Sequence, residues 1–406
     1  MAVYDGRVRK PGGLLVAVLV ASLLAGCSTG PVALPSIWSP QASGLAGVAS
    51  PVPMPTPTQS AVDAVKARVA AMTLDQKVGQ LLMVALKRAT PIATLQPMIA
   101  NGQVGGVIIM DAGWTMDQVI AMTGTLDGYV AQGAPGLYLA VDQEGGQVQH
   151  LNGDGFSTMP SALDQGAMSP ADLTAQATRW GAELHQAGIN IDLAPTADTV
   201  PTSMLDTNMP IAHYDRQYGS DPAQVGAHSA AFVTGMNAGG VQACVKHFPG
   251  LGYITGNTDV TTDGITDEVT TRGDANLGAF ATAIAAGPAA VMVSSATYAN
   301  IDPANPAMFS SVVIGQVLRG DLGWQGVVIS DTLDAKSVAA WTPGQRAINF
   351  IAAGGDIALY TTWQEIQPAF SDVKAKAAAD PAFAALVDAA VTRVLLAKQA
   401  AGLLAG

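Results

Sequence analysis

Eight short apolar runs, separated by longer amphipathic segments, constrain the fold of this chain more than any other sequence feature. The runs span 80–84, 104–110, 137–141, 191–193, 241–245, 290–293, 327–329 and 357–359. Helical patterns lie between them, at 116–132, 170–187, 222–238, 274–286, 310–318 and 344–353. Strands that are apolar along their whole length are typical of a parallel sheet buried on both faces. Eight such units predict an α/β protein with a single closed (β/α)8 TIM-type barrel over residues 61–406.

Polar residues stand at or near the ends of five of these runs. They are Asp142, Asp192, the pair Lys246-His247, the pair Ser294-Ser295, and the pair Ser330-Asp331. The carboxyl ends of barrel strands all face one mouth of the barrel. The pattern therefore predicts a functional site at that mouth, formed by residues from several strands.

The first 26 residues have the features of an export signal. Arg7, Arg9 and Lys10 form a basic start, and the apolar segment 14–24 is too short to span a bilayer. The segment ends in Leu-Ala-Gly before Cys27, which resembles a bacterial lipobox. We therefore predict a lipid anchor on Cys27 and a location in the cell envelope, on the outer face of the cytoplasmic membrane. An ordinary signal peptide with an incidental cysteine is the alternative.

Residues 27–60 are rich in proline, serine, alanine and glycine, and they contain no charged residue. This composition predicts a flexible linker between the lipidated Cys27 and the barrel. The chain has only two cysteines, Cys27 and Cys244. Cys244 lies inside an apolar run, so we expect a small core residue rather than a disulfide partner.

The formal net charge of −12 argues against a nucleic-acid partner, because contacts with phosphates require lysine and arginine. Carboxylates are therefore the most abundant charged groups among the side chains. Asp331 follows a buried run and is consistent either with a helix cap or with a nucleophile. Asp142 opens the sequence Asp-Gln-Glu-Gly-Gly, whose acceptors suit sugar hydroxyls; a turn-stabilising role is the alternative, more so for Glu144.

Hydrogen-bond donors complete the candidate site. Lys246 and His247 are both donors when charged, and their adjacency before Phe-Pro-Gly is more specific than a lone histidine. Arg216 could supply another donor, or it could form a surface ion pair with Asp215.

Four of these motifs together resemble glycoside hydrolase family 3. They are LAVDQEGGQVQ (139–149), IDLAPTAD (191–198), VKHFPGLG (245–252) and VVISDTL (327–333). The most similar subgroup is the single-barrel bacterial β-N-acetylglucosaminidases that trim peptidoglycan fragments, and the resemblance covers about residues 60–400. It implies that Asp331 is the nucleophile and that Asp142, Arg216, Lys246 and His247 bind the sugar. It also implies retention of configuration through a covalent intermediate, with no metal and no cofactor.

The sequence departs from this subgroup at two places. The subgroup has an Asp-x-His pair as its acid/base, where this chain has Asn257-Thr258-Asp259 and no histidine after His247. Asp259 is therefore the candidate acid/base, with Asp263 and Asp267 as further candidates, because burial or a nearby charge can raise the pKa of a carboxyl group. The subgroup also has arginines where Gln147 and His150 stand; His150 is the candidate to replace a sugar-binding arginine.

These observations predict an exo-acting retaining β-N-acetylglucosaminidase that acts on GlcNAc-containing cell-wall fragments. Two alternatives stay open at this point. The altered loop at 257–259 is also consistent with a lipid-anchored carbohydrate-binding protein that has lost efficient catalysis. A β-glycosidase for another sugar would have the same fold and the same nucleophile.

Overall fold

The structure, a computed structural model, describes residues 58–404. The predicted signal peptide, the lipidated Cys27 and the linker up to residue 57 lie outside the described residues. Within them, the main sheet has eight strands, which we number first to eighth in chain order. They are Leu82–Leu86, Gly106–Ile109, Tyr138–Val141, Ile191–Asp192, Gln242–Phe248, Ala290–Val293, Val327–Ser330 and Ala358–Tyr360.

The eight strands form a nearly closed barrel. The first seven strands pair in parallel with their neighbours in chain order, and the eighth strand pairs with the first through Leu82 and Ala358. Between the seventh and eighth strands, the Ser330 amide donates to the Ile357 carbonyl oxygen at 3.0 Å, and Ile329 bridges Ile357. The predicted (β/α)8 fold is therefore confirmed.

The barrel strands are buried along their whole length, as the apolar runs predicted. The first strand begins two residues later than expected, at Leu82 rather than at residue 80. The reason is the preceding helix α2 (Leu74–Gln80), which starts at a capping box formed by Thr73 and Gln76 and continues through Gln80.

Eleven α-helices are described between residues 58 and 404. Besides α2 they are α1 Gln59–Ala71, α3 Gln96–Ala100, α4 Met116–Asp127, α5 Ala162–Gln165, α6 Pro170–Gln186, α7 Pro222–Ala238, α8 Asn276–Ala285, α9 Pro343–Ala352, α10 Ile366–Ala379 and α11 Pro381–Ala400. Caps explain many of their starts: the side chains of Thr115, Ser169 and Thr342 each accept a hydrogen bond from the first turn. The prediction for 222–238 is confirmed, whereas α4 is shorter than predicted because Gly128 ends it.

One helical segment differs in type from the prediction. Val312–Asp321 forms a π-helix, where an α-helix was predicted over 310–318. Near its end, the Arg319 guanidinium donates to the Gly354 carbonyl oxygen at 3.0 Å and to the buried Asp356 carboxylate at 2.9 Å. These contacts hold the π-helix against the segment that leads into the eighth strand. Among residues 58–404, no helix is both long enough and apolar enough to cross a membrane.

The two ends of the barrel differ in their chemistry. At the amino-terminal end of the strands, the fully buried Lys398 of α11 donates to Gln80 Oε1 and to the carbonyl oxygens of Gly105 and Gly136, each at 2.7 Å. At the carboxyl end, a hairpin of Gln143–Gly145 with Val148–Gln149 extends from the third strand. The longer loops after the fourth to seventh strands also rise at this end, and together they build the site.

Candidate active site

A cavity of about 420 Å³ lies at the carboxyl-terminal mouth of the barrel. Six residues that the sequence had singled out line it together: Asp142, Arg216, Lys246, His247, Asp259 and Asp331. They are far apart in the chain and come from the ends of the third, fifth and seventh strands or from the loops that follow the fourth and fifth. The structure therefore brings these six residues together at one mouth of the barrel, as the sequence predicted.

Lys246 anchors an ionic cluster on the cavity wall. Its ammonium lies 2.5 Å from Asp142 Oδ1 and 2.7 Å from Glu144 Oε1. Arg216 makes a two-pronged pair with Glu144, at 2.8 Å from Nε to Oε2 and 2.7 Å from Nη2 to Oε1. The sequence left open the alternative that Arg216 forms a surface ion pair with Asp215. That alternative is wrong, because the Arg216 side chain turns inward to Glu144.

Glu144 is a functional residue that sequence reasoning underrated, because we favoured a turn-stabilising role for it. Its side chain is only 2% exposed and accepts from both Arg216 and Lys246. Burial alone would raise the pKa of Glu144, but the two cations outweigh it and hold that pKa far below the ordinary value. In return, Glu144 and Asp142 raise the pKa of Lys246 above its ordinary value despite burial. Glu144 therefore orients the two cations that face the cavity.

The Gly-Gly pair after Glu144 explains how this carboxylate reaches the cluster. Gly145 has a φ of +102°, a conformation that side-chain-bearing residues rarely adopt. A Cβ atom there would lie 2.2 Å from the Pro160 carbonyl oxygen. Only glycine permits the hairpin to turn this tightly while Glu144 remains beneath Arg216.

His247 has a partner on each side of its ring. Its Nδ1 lies 2.8 Å from Oδ2 of Asp198, and its Nε2 lies 3.3 Å from Nη2 of Arg216. Asp198 is fully buried and also accepts from the Leu251 amide at 2.8 Å. Asp198 belongs to the motif at 191–198, but no local pattern in the sequence indicated its partner.

Asp331 lies directly after the seventh strand, where it is half-buried and lines the cavity. Its amide donates to the Val293 carbonyl oxygen at 2.9 Å, and its Oδ1 accepts from the Thr332 amide at 2.8 Å. Asp331 does not cap a helix, because the next helical segment is a 3-10 turn that begins only at Lys336 and has Ala335 as its cap. The carboxylate is therefore held by a backbone hydrogen bond and faces the cavity.

Asp259 lies on the loop after the fifth strand, in the wall of the same cavity. This loop is docked onto the segment that follows Asp331: the amides of Lys336 and Ser337 donate to the carbonyl oxygens of Asp259 and Thr258, each at 3.1 Å. Asp259 is exposed at the mouth of the cavity that it lines. Partial desolvation in the cavity and the charge of Asp331 raise the pKa of Asp259 to about 6.

Other candidates lie away from the cavity lining. His150 is half-buried, with its Nε2 4.0 Å from Asp142 Oδ2, whereas Gln147 lines the cavity itself. Asp267 is fully buried and accepts from the amides of Val269 and Thr270, so it stabilises a turn; Asp263 is exposed.

Asp192 ends the fourth strand, as expected, but it does not line the cavity. It is fully buried and accepts from the Gln143 amide at 3.0 Å. Burial raises the pKa of Asp192 well above its ordinary value. Ser330 is also buried, and its hydroxyl accepts from the Leu359 amide, which helps to close the barrel. Within residues 58–404, no group of three or more His, Cys, Asp or Glu side chains is arranged to hold a metal ion.

A parallel barrel whose cavity at the mouth is lined by four aspartates, beside Lys246 and Arg216, is an arrangement typical of glycosidases of the barrel type. The comparisons with known proteins identify the family. The chain belongs to glycoside hydrolase family 3, because the model of the glycosyl hydrolase family 3 N-terminal domain matches residues 73–397. The chain is therefore a glycoside hydrolase.

Relatives cover nearly the whole chain. Beta-hexosaminidase LpqI of Mycobacterium tuberculosis is 31% identical over 396 residues, which are 95% of this chain and 96% of the relative. The crystal structure of a beta-N-acetylhexosaminidase from Beutenbergia cavernae is 45% identical, with a TM-score of 0.79 over 81% of this chain and 99% of that one. A family 3 beta-N-acetylglucosaminidase from Paenibacillus is 29% identical, with a TM-score of 0.71 over 83% of this chain and 64% of that one.

Proposed function

We propose that this protein is an exo-acting, retaining β-N-acetylglucosaminidase that releases terminal GlcNAc from cell-wall fragments. The observation that carries the proposal is the presence of Asp331 and Asp259 in one cavity beside the Asp142–Lys246–Glu144 cluster. The β-hexosaminidase names of relatives that span almost the whole chain support the choice of sugar.

In the first step, a carboxylate oxygen of Asp331 attacks the anomeric carbon and forms a covalent glycosyl ester. The bond from that carbon to the leaving oxygen breaks, and the proton of Asp259 moves to the leaving oxygen. In the second step, the Asp259 carboxylate takes a proton from water, and the water oxygen displaces Asp331 from the sugar. A pKa of about 6 lets Asp259 serve as acid and then as base near neutral pH.

The cluster around Lys246 would hold the terminal sugar. Lys246 and Arg216 are charged donors, so they can donate to the oxygen atoms of the sugar hydroxyl groups. Asp142 has acceptor oxygens, so it can accept the protons of those hydroxyl groups. His150 does not line the cavity, so it would act on the sugar through Asp142, whose Oδ2 lies 4.0 Å from its Nε2. Because the other groups line one cavity of about 420 Å³, we expect a terminal sugar rather than an internal one to bind.

The direct test is turnover of 4-nitrophenyl β-N-acetylglucosaminide by the protein without residues 1–27, beside Asp331→Asn. We expect release of 4-nitrophenol by the wild type and a loss of at least about 10³-fold in the variant. Quenched reactions analysed by mass spectrometry should contain a GlcNAc adduct on the peptide with Asp331. An Asp331→Asn protein with wild-type turnover would contradict the assignment.

The elevated pKa of Asp259 favours an enzyme over the carbohydrate-binding alternative, because a binding protein has no need of a protonated carboxyl group near neutral pH. The two are separated by calorimetry and kinetics on one sample. Sugar binding without turnover would support the binding protein. Turnover that depends on Asp331 would exclude it, and a panel of 4-nitrophenyl glycosides would identify another preferred sugar.

Anchoring and the natural substrate are further parts of the proposal. Cys27 in its lipobox-like context would carry the lipid and hold the enzyme at the outer face of the cytoplasmic membrane. The full-length protein should then fractionate with membranes, whereas Cys27→Ser should not. For the substrate, we expect a higher kcat/KM with GlcNAc linked to N-acetylmuramic acid than with chitobiose.

A further inference from the structure

The His247 ring lies between two groups of opposite hydrogen-bonding character. Its Nδ1 faces the Asp198 carboxylate at 2.8 Å, and its Nε2 faces the Arg216 guanidinium at 3.3 Å. A carboxylate oxygen only accepts hydrogen bonds, and a guanidinium nitrogen only donates them. A neutral imidazole has one N–H and one lone pair. Both neighbours are satisfied only when the proton is on Nδ1 and the lone pair is on Nε2.

Asp198 is built to act as an acceptor. It is fully buried, so no solvent competes for its oxygens. Its Oδ1 accepts from the Leu251 amide at 2.8 Å, and both of its oxygens are within 3.3 Å of the His247 amide. Two backbone N–H groups, which can only donate hydrogen bonds, therefore hold the Asp198 carboxylate in one orientation toward His247 Nδ1.

We propose that Asp198 is a positioning residue that holds His247 in the Nδ1–H tautomer, so that Nε2 accepts a hydrogen bond from Arg216 and keeps that guanidinium in the cavity wall. Asp198 itself does not line the cavity, whereas His247 does. The inference rests on the proposed function only in taking a sugar as the ligand. It revises the expectation from the sequence, in which His247 was a donor like Lys246.

The proposed tautomer has a consequence for Arg216. The Nη2 nitrogen of Arg216 carries two protons, and it donates one of them to Glu144 Oε1 at 2.7 Å. The second proton has His247 Nε2 as an acceptor only when that nitrogen carries the lone pair. With a proton on Nε2, two donors would face each other at 3.3 Å, and Arg216 would be pushed from its position in the cavity wall.

Asp198→Asn should invert the tautomer. The oxygen of the introduced amide would keep the two backbone amides as donors, which turns the NH₂ group of the new side chain toward His247 Nδ1. Nδ1 must then accept, so the ring proton moves to Nε2 and faces the Arg216 donor. The opposite rotamer would lose two backbone hydrogen bonds to preserve one side-chain bond, and each unsatisfied buried group is costly.

The test is ¹⁵N NMR of histidine-labelled protein, which is practical because the chain has only five histidines. The His247 signal is identified by its loss in His247→Gln. We expect the Nδ1–H pattern in the wild type and the Nε2–H pattern in Asp198→Asn. Asp267→Asn is the matched control, because Asp267 is equally buried and lies outside the cavity lining.

Kinetics with the aryl substrate provide a second readout. We expect Asp198→Asn to raise KM at least about tenfold with a smaller change in kcat, and Asp267→Asn to leave both unchanged. Equal losses in the two Asp→Asn variants would overturn the positioning role.

The two readouts also separate this inference from the proposed function. An Nε2–H signal for His247 in the wild type would overturn the inference even if the enzyme hydrolyses GlcNAc glycosides. An Nδ1–H signal in a protein without any glycosidase turnover would refute the proposed function and support the inference. If Asp198→Asn does not fold, the tautomer of His247 in the wild type still decides the matter.

Discussion

Replacing Asp259 with asparagine should have an effect that depends on the leaving group of the substrate. The proposed acid donates its proton to the leaving oxygen, and asparagine cannot do so. A sugar alkoxide is a poor leaving group and needs that proton, whereas 4-nitrophenolate leaves readily without it. General acid catalysis contributes about 10²–10⁴-fold, and we expect a loss of this size in kcat/KM for a GlcNAc disaccharide. For the 4-nitrophenyl glycoside, we expect a loss in kcat/KM below about tenfold.

The pH profile follows from the same carboxyl group. Burial and Asp331 raise the pKa of Asp259 to about 6, so its acidic form is lost as the pH rises above 6. At pH 7 roughly one tenth of the molecules would carry the proton, because each pH unit above the pKa lowers that fraction about tenfold. For the disaccharide, kcat/KM of the wild type should therefore fall above pH 6, and Asp259→Asn should lack this decline.

Added azide completes the assay. Azide attacks the glycosyl ester without base assistance, so it should restore kcat of Asp259→Asn with the aryl substrate and yield a glycosyl azide. The matched control is Asp263→Asn, an exposed position on the same loop that does not line the cavity. Equal losses on both substrates in Asp259→Asn, or an unchanged decline above pH 6, would refute the assignment of the acid.

Three further predictions concern stability. Burial lowers the pKa of Lys398 from 10.5 to about 7, so between these pH values the unfolded chain binds more protons than the folded one. The difference in free energy of unfolding between the wild type and Lys398→Met should therefore rise with pH in this range, by up to about 1.4 kcal/mol per pH unit. Urea titrations at several pH values measure this difference, and a value that does not change with pH would refute the prediction. Glu144→Gln removes the carboxylate that pairs with the cations of Lys246 and Arg216, so it should lower the free energy of unfolding by about 3–5 kcal/mol in the same assay. The control Glu365→Gln should lower it by less than about 1 kcal/mol, because the Glu365 carboxylate is partly exposed. Thr115→Ala removes the cap of α4 and should lower the free energy of unfolding by about 1 kcal/mol; no change would show that the cap is dispensable.

The barrel was predictable because its signals are local. A parallel strand buried on both faces is mostly apolar, so each strand is visible as a run of three to seven consecutive residues. Helix starts such as Thr73 and Ser169 are visible because their caps act within three residues. The first strand was misplaced by two residues where these two signals overlap, since Gln80 belongs to both an apolar run and a capped helix.

The polar partners of the site were not predictable, because they are distant in the chain. Glu144 meets Arg216 across 72 positions, and Asp198 meets His247 across 49. A carboxylate at a strand end looks the same in the sequence whether it accepts from a buried backbone amide, pairs with a cation or faces the cavity. Asp192, Asp142 and Asp331 occupy such positions, and their surroundings give them these three different tasks.

The sequence alone determined the barrel, the mouth at which the site lies, and the chemical groups available there, because these follow from local patterns and from the direction of parallel strands. Only the tertiary structure decided what each group can do. Burial and the nearby Asp331 give Asp259 a pKa suited to an acid, while Glu144 turns Arg216 inward and Asp198 orients His247. Solvation and charge at a carboxyl group depend on atoms that folding brings together, and for this reason no local pattern encodes them.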